Sequence, residues 1–103
     1  MNKKKLNRIQ RHMRALRSKS ASLRKNDLVG VAKALGRSRF NRGKEPTYVS
    51  TPFPDLRPVS IPSHPGTLKR FTALGILDQL EDDVLRWEET LESDNDSDEG
   101  THE

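Results

Sequence analysis

Residues 72–91 read Thr72-Ala73-Leu74-Gly75-Ile76-Leu77-Asp78-Gln79-Leu80-Glu81-Asp82-Asp83-Val84-Leu85-Arg86-Trp87-Glu88-Glu89-Thr90-Leu91, and this stretch decides the fold. Ala73, Leu77, Leu80, Val84, Trp87 and Leu91 recur at spacings of 4, 3, 4, 3 and 4. That is the period of an α-helix with one continuous apolar face, which Ile76 widens. Such a face must be covered by another layer of the same domain. The helix is expected over 72–92, with Thr72 as its N-cap. Gly75 costs about 1 kcal/mol against Ala inside a helix, so close packing against a sheet is its expected reason. Trp87 reads as a core or interface aromatic rather than a base-stacking one.

The covering elements lie upstream. All six prolines fall between Pro46 and Pro65, which forbids long strands and helices there. Short strands remain possible at 38–42, 47–51 and 57–61. Val59 and Ile61 alternate around Ser60, Tyr48 and Val49 favour strands, and Arg42-Gly43-Lys44 reads as a hairpin turn. A small three-stranded antiparallel sheet is therefore expected. Before it, 26–36 reads as a helix. Asn26 or Asp27 can cap it, Leu28, Val31, Ala32 and Leu35 share a face, and Gly36 stops it.

The two ends differ in kind. Over 3–19, Leu6, Ile9, Met13 and Leu16 form a narrow apolar stripe, and Lys4, Lys5, Arg8, Arg11, Arg14 and Arg17 fill the rest of the helix. Two readings stand side by side: the helix adds electrostatic affinity for nucleic acid, or its stripe packs on the domain or dimerises. Residues 93–103 have the composition of a disordered acidic tail. Asp94, Asp96 and Asp98 alternate, but the glycine and glutamate spacing of a calcium loop is not met. The chain thus divides into a basic helix and linker (1–25), an α-β-β-β-α domain (26–92) and a tail (93–103). One modest core is expected between Leu28 and Leu91.

Composition narrows the function classes. Of 103 residues, 31% are hydrophobic and 33% charged, too little apolar material for a large core around a deep cofactor cavity. No cofactor is implied. The net charge of +4 conceals a polarised chain. Residues 1–44 hold 15 Lys/Arg against the single acid Asp27, whereas residues 76–103 hold 12 acids against the single Arg86. There is no cysteine, hence no disulfide framework, thiol nucleophile or Cys-type zinc site, and no metal site is expected. No run approaches the ~20 apolar residues of a membrane span, and no apolar segment follows the basic N-terminus as in a secretory signal. A cytoplasmic location and no membrane partner are expected.

An order of helix, three short strands and helix in a basic context is that of a small α+β double-stranded-RNA-binding-like domain. Four pieces of the stretch between Leu28 and Leu91 resemble the HicA family, the toxin half of bacterial toxin–antitoxin pairs. Asp27-Leu28-Val29 through Ala34-Leu35-Gly36 is similar to the first helix of that family, which ends in Leu-Gly. Arg42-Gly43-Lys44-Glu45-Pro46-Thr47-Tyr48 occupies the place of its hairpin. Val59-Ser60-Ile61-Pro62-Ser63-His64 is similar to its third strand, which ends in Val-Pro-x-His. Phe71-Thr72-Ala73-Leu74-Gly75-Ile76-Leu77 resembles the opening of its last helix. The resemblance implies a small metal-independent mRNA endoribonuclease, with RNA as substrate and a HicB-like antitoxin as partner. The pattern departs at one point: Glu45 stands where the family carries its hairpin histidine, which marks a divergent member.

Cleavage of RNA without a metal needs a base for the 2′-hydroxyl proton and an acid for the leaving 5′-oxygen. His64 matches the family position, whereas His12 lies on the basic helix and His102 in the tail. Glu45 and His64 form the candidate acid–base pair, with Arg42 and Lys44 beside a phosphate. The plainer readings are a structural histidine at a strand end and a solvated hairpin glutamate. Binding alone asks only for cations, and Arg39, Arg42, Lys44, Arg57, Lys69 and Arg70 are the candidates, with Tyr48 as stacking aromatic. A non-catalytic RNA-binding relative and a small protein-interaction module are the alternative functions.

Overall fold

The computed structural model describes the backbone of residues 1–40, 46–63 and 65–102, and the side chains as far as Ser93. Helix α1 spans Lys3–Ser18, and the Asn2 Oδ1 accepts the Lys5 amide at 2.8 Å to cap it. A single 3-10 turn at Ser20–Ser22 leads into α2, Lys25–Ala34. Strands β1 (Arg37–Phe40), β2 (Thr47–Ser50) and β3 (Val59–Ser60) form an antiparallel sheet in the order β1-β2-β3. Helix α3 spans Arg70–His102. The domain is a small α+β unit, with the helices covering one face of the sheet.

Local chemistry explains most of the boundaries. Neither Asn26 nor Asp27 is the N-cap of α2. Arg24 holds that position, and Asp27, three residues on, accepts the Arg24 amide through Oδ2 at 2.9 Å. Gly36 takes a φ of +100°, which lets the chain leave α2 and enter β1 at once. Strand β3 is shorter than expected because Pro58 and Pro62 flank it and lack amide donors. The Ile61 amide still reaches the Pro46 carbonyl at 3.3 Å. The expected hairpin turn at 42–44 lies outside the described residues.

Helix α3 departs from its expected limits at both ends. It starts at Arg70, because the Lys69 carbonyl already accepts the Ala73 amide at 2.9 Å, so Thr72 is within the helix and is not its cap. It runs past Glu92 to His102, where a tail was expected; no Gly or Pro interrupts 92–99. Gly75 is not explained by close packing either, since a Cβ there would have no neighbour within 4 Å.

The core begins earlier than Leu28. Leu6, Ile9, Met13 and Leu16 of α1 are buried in the same apolar cluster as Leu28, Val31, Leu77, Leu80 and Val84. Arg17 pairs with Asp78 while Gln10 donates to Glu88, so α1 runs antiparallel to α3. Burying four such side chains is worth roughly 6–12 kcal/mol before entropy is subtracted. That makes α1 a structural member of the domain. Leu23 and Leu68 complete the cluster where the Leu68 amide meets the Leu23 carbonyl at 2.8 Å.

Below the helices, the inward face of the sheet is partly polar. Register places Arg37 opposite Ser50 and Arg39 opposite Tyr48, and Tyr48 also faces Val59. Arg37 and Asp83 form a bidentate ion pair, with Nε–Oδ2 and Nη2–Oδ1 both at 2.8 Å. Their side chains are 1% and 0% exposed. Arg37 Nη1 also donates to the carbonyls of Tyr48 at 2.8 Å and Arg57 at 3.0 Å. One guanidinium therefore joins β1, β2, the chain before β3, and α3. One turn further along the same face of α3, Trp87 donates its indole N–H to the Leu35 carbonyl at 2.9 Å and meets Phe53 edge-on, with ring centroids 4.8 Å apart. This agrees with its reading as a packing aromatic.

Candidate nucleic-acid interface

Helix α2 buries Leu28, Val31 and Ala32, and so turns Lys25, Val29 and Lys33 toward another side at successive intervals of four residues. On that side the helix borders the sheet. Lys25, Asn26, Val29 and Lys33 form one wall of a cleft, and Arg39, Pro46, Tyr48, Ile61 and Ser63 complete it. Its volume is about 180 Å³. That is below the ~300 Å³ at which drug-sized ligand pockets begin. Three cations line it and, among the described residues, no carboxylate does. Lys25 Nζ reaches Ser63 Oγ at 3.3 Å, which ties the start of α2 to the segment after β3.

The geometry follows from the strand pattern. Arg37 and Arg39 share the inward face of β1, but they meet different surroundings. Arg37 lies beneath α3, where Asp83 receives it. Arg39, two residues on, is exposed at the end of the sheet beside α2. The same face of one strand thus supplies a structural arginine and a surface one.

The expected binding residues do not form a single patch. Arg39 and Tyr48 share the cleft. Tyr48 is 4% exposed and belongs to the core, so its ring is wall and has no open face on which a base could stack. Arg57 is exposed elsewhere, beside a smaller cleft with Arg37, Leu56, Gln79 and Asp82. Lys69 and Arg70 are exposed at the start of α3, and Arg70 Nε donates to Ser20 Oγ at 3.2 Å. Arg42, Lys44, Glu45 and His64 lie outside the described residues.

The apolar stripe of α2 does not single out Lys25 and Lys33, two of the three cleft cations. Their signal was the i, i+8 spacing about Val29, off that stripe. Asp83 carries a signal of its own: it stands three after Leu80 and four before Trp87, within the buried face of α3. No helix among the described residues is long and apolar enough to cross a membrane. In comparisons with known proteins, the chain matches no family model, no curated protein and no solved structure.

Proposed function

We propose that the chain binds RNA through the cleft between α2 and the sheet, and acts on it in the manner of a HicA-like toxin. The observation that carries this reading is the convergence of Lys25, Lys33 and Arg39 on one cleft that, among the described residues, has no lining carboxylate. Cations gathered in this way neutralise phosphate and release its counterions. The small volume suits a backbone phosphate better than an organic cofactor. In this reading the order α2-β1-β2-β3-α3 is a double-stranded-RNA-binding-like arrangement, the site of action is the cytoplasm, and a HicB-like protein is the antitoxin.

Sequence connectivity supports a cleavage role for the same cleft. Glu45 is the chain neighbour of Pro46, and His64 of Ser63; both neighbours line the cleft. In the proposed step one of the pair removes the proton of a 2′-hydroxyl, and that oxygen attacks the adjacent phosphorus. The bond to the 5′-oxygen breaks, and that oxygen takes a proton from the other member. The products are a 2′,3′-cyclic phosphate and a 5′-hydroxyl, with no metal required.

Induced expression in bacterial cells, with and without Glu45→Ala and His64→Ala, tests the chemistry. Growth arrest with mRNA loss that either substitution abolishes is the expected result; arrest indifferent to both excludes the pair. Binding is tested separately, with Lys33→Gln/Arg39→Gln and a labelled RNA. Binding by the unaltered chain that does not weaken between about 50 and 200 mM salt would exclude phosphate contact altogether. RNA binding that persists without cleavage favours the non-catalytic relative, to which the absence of the family's hairpin histidine already points.

A further inference from the structure

Helix α1 has its apolar face committed to the core, and what it leaves outside is a ridge of cations. Lys4, Arg8 and Arg11 lie along one line of the helix, opposite Leu6, Ile9, Met13 and Leu16, with Lys5 and Arg14 beside them. All five are exposed, and among the described residues none forms an ion pair. Among the described residues, the acids of α3 that approach α1 do so on its flank: Asp78 and Glu81 meet Arg17, Glu88 meets Gln10, and Glu92 lines a cleft with Lys3 and Asn7, away from Lys4, Arg8 and Arg11. The first acid in the sequence is Asp27, so nothing within α1 offsets the ridge.

We infer that the outer ridge of α1 is a second, sequence-independent docking surface for the phosphate backbone of double-stranded RNA, separate from the cleft beside α2. Charge complementarity identifies the occupant, and two exclusions sharpen it. An amphipathic helix that lies on a membrane must insert its apolar face, and this helix has buried that face in its own domain. Reading of single-stranded bases calls for several aromatic platforms, and α1 carries no Phe, Tyr or Trp and only the single imidazole of His12. What remains is a rigid row of point charges about 10 Å long between Lys4 and Arg11. A duplex presents regularly spaced phosphates to such a row, and backbone contact needs no base identity. The inference rests on the RNA reading above for its ligand, but it requires neither cleavage nor the cleft residues.

The test measures binding of the full chain to a labelled mixed-sequence RNA duplex, and to a second duplex of unrelated sequence, across salt concentrations. Lys4→Gln/Arg8→Gln/Arg11→Gln should keep the thermal midpoint of the unaltered chain, because all three side chains are exposed. It should lose roughly tenfold or more in affinity for both duplexes and flatten the salt dependence by about 2–3 in log–log slope. The charge-preserving variant Lys4→Arg/Arg8→Lys/Arg11→Lys should retain both affinity and slope; if it binds no better than the glutamine variant, the point-charge account is overturned. The inference also fails if the glutamine variant binds duplexes with unaltered affinity and slope while Lys33→Gln/Arg39→Gln does not, an outcome that leaves the cleft reading intact. If neither variant changes binding, both readings fall together. Loss of binding to phosphatidylserine vesicles with duplex binding unchanged would instead assign the ridge to a membrane and overturn the inference.

Discussion

The guanidinium of Arg37 and the carboxylate of Asp83, 46 residues apart in sequence, close a doubly hydrogen-bonded ion pair with almost no exposure to water. Arg37 follows Gly36, whose positive φ allows the turn from α2 into β1. The pair fixes α3 across the sheet, and the spare donor of Arg37 holds β2 and the approach to β3. Taking two charges out of water is costly, and only satisfied geometry offsets that cost. Among the described residues no buried side-chain polar atom is left without a partner.

Removing one partner should therefore be severe. Asp83→Leu or Arg37→Met alone strands a buried charge, with an expected loss of about 3–5 kcal/mol in denaturant unfolding. The double variant should lose less than the sum of the two. It should still fall short of the unaltered chain, because the Tyr48 and Arg57 carbonyls also lose their donor. Additive losses would show that the pair is not coupled.

Two glycines should respond in opposite directions. At Gly36 a Cβ would approach Pro52 Cγ at 2.9 Å, and φ is +100°. Gly36→Ala should cost about 1–3 kcal/mol. Gly75 lies inside α3 with open space beside it. Gly75→Ala should raise the thermal midpoint by roughly 4–8 °C, the equivalent of about 1 kcal/mol. Thermal unfolding followed by circular dichroism reads both.

Asp55 and Arg86 link the proline-rich loop to α3, with contacts of 2.6 and 3.0 Å. The hydrogen bond from Arg86 holds the Asp55 carboxyl below its ordinary value of 3.8, and Asp55 raises the Arg86 guanidinium in turn. A depressed carboxyl contributes stability above its unfolded value and loses it as pH falls through the folded value. Asp55→Asn should thus show a small midpoint deficit at neutral pH that closes below the ordinary aspartate range. Arg86 also lies over the Phe53 ring, 5.4 Å from its centroid, and Phe53 touches Trp87. The fluorescence of Trp87, the single tryptophan, should follow the same acid transition.

The two ends of the chain should prove unequal. Deleting residues 1–19 strips Leu6, Ile9, Met13 and Leu16 from the core and should abolish cooperative unfolding. Ending the chain after Ser93 should move the midpoint by no more than about 1–2 °C, because acids at the C-terminal end of a helix oppose its dipole and add no stability. The same truncation should tighten RNA binding at low salt, by removing anions that compete for the cations. Unchanged RNA affinity would leave the acidic end with a solubilising role only.

The sequence alone determined what depends on near neighbours. The 3.6-residue period of 73–91 and of 6–16, the glycine stop at Gly36 and the prolines around β3 are local signals, and they sufficed for three helices and a short antiparallel sheet. What those elements share follows from how they pack. Asp83 is one of twelve acids in an acidic segment until α3 crosses β1, and Arg37 is one of many arginines until Asp83 receives it. Lys25, Lys33 and Arg39 become one cleft only when α2 is laid beside the end of the sheet. Helix α1 had two open readings because its stripe and its charges point in opposite directions. Packing answered for the stripe and left the charges facing out. Burial and charge clustering are properties of surfaces brought together from distant segments, and no spacing along the chain encodes which surfaces will meet.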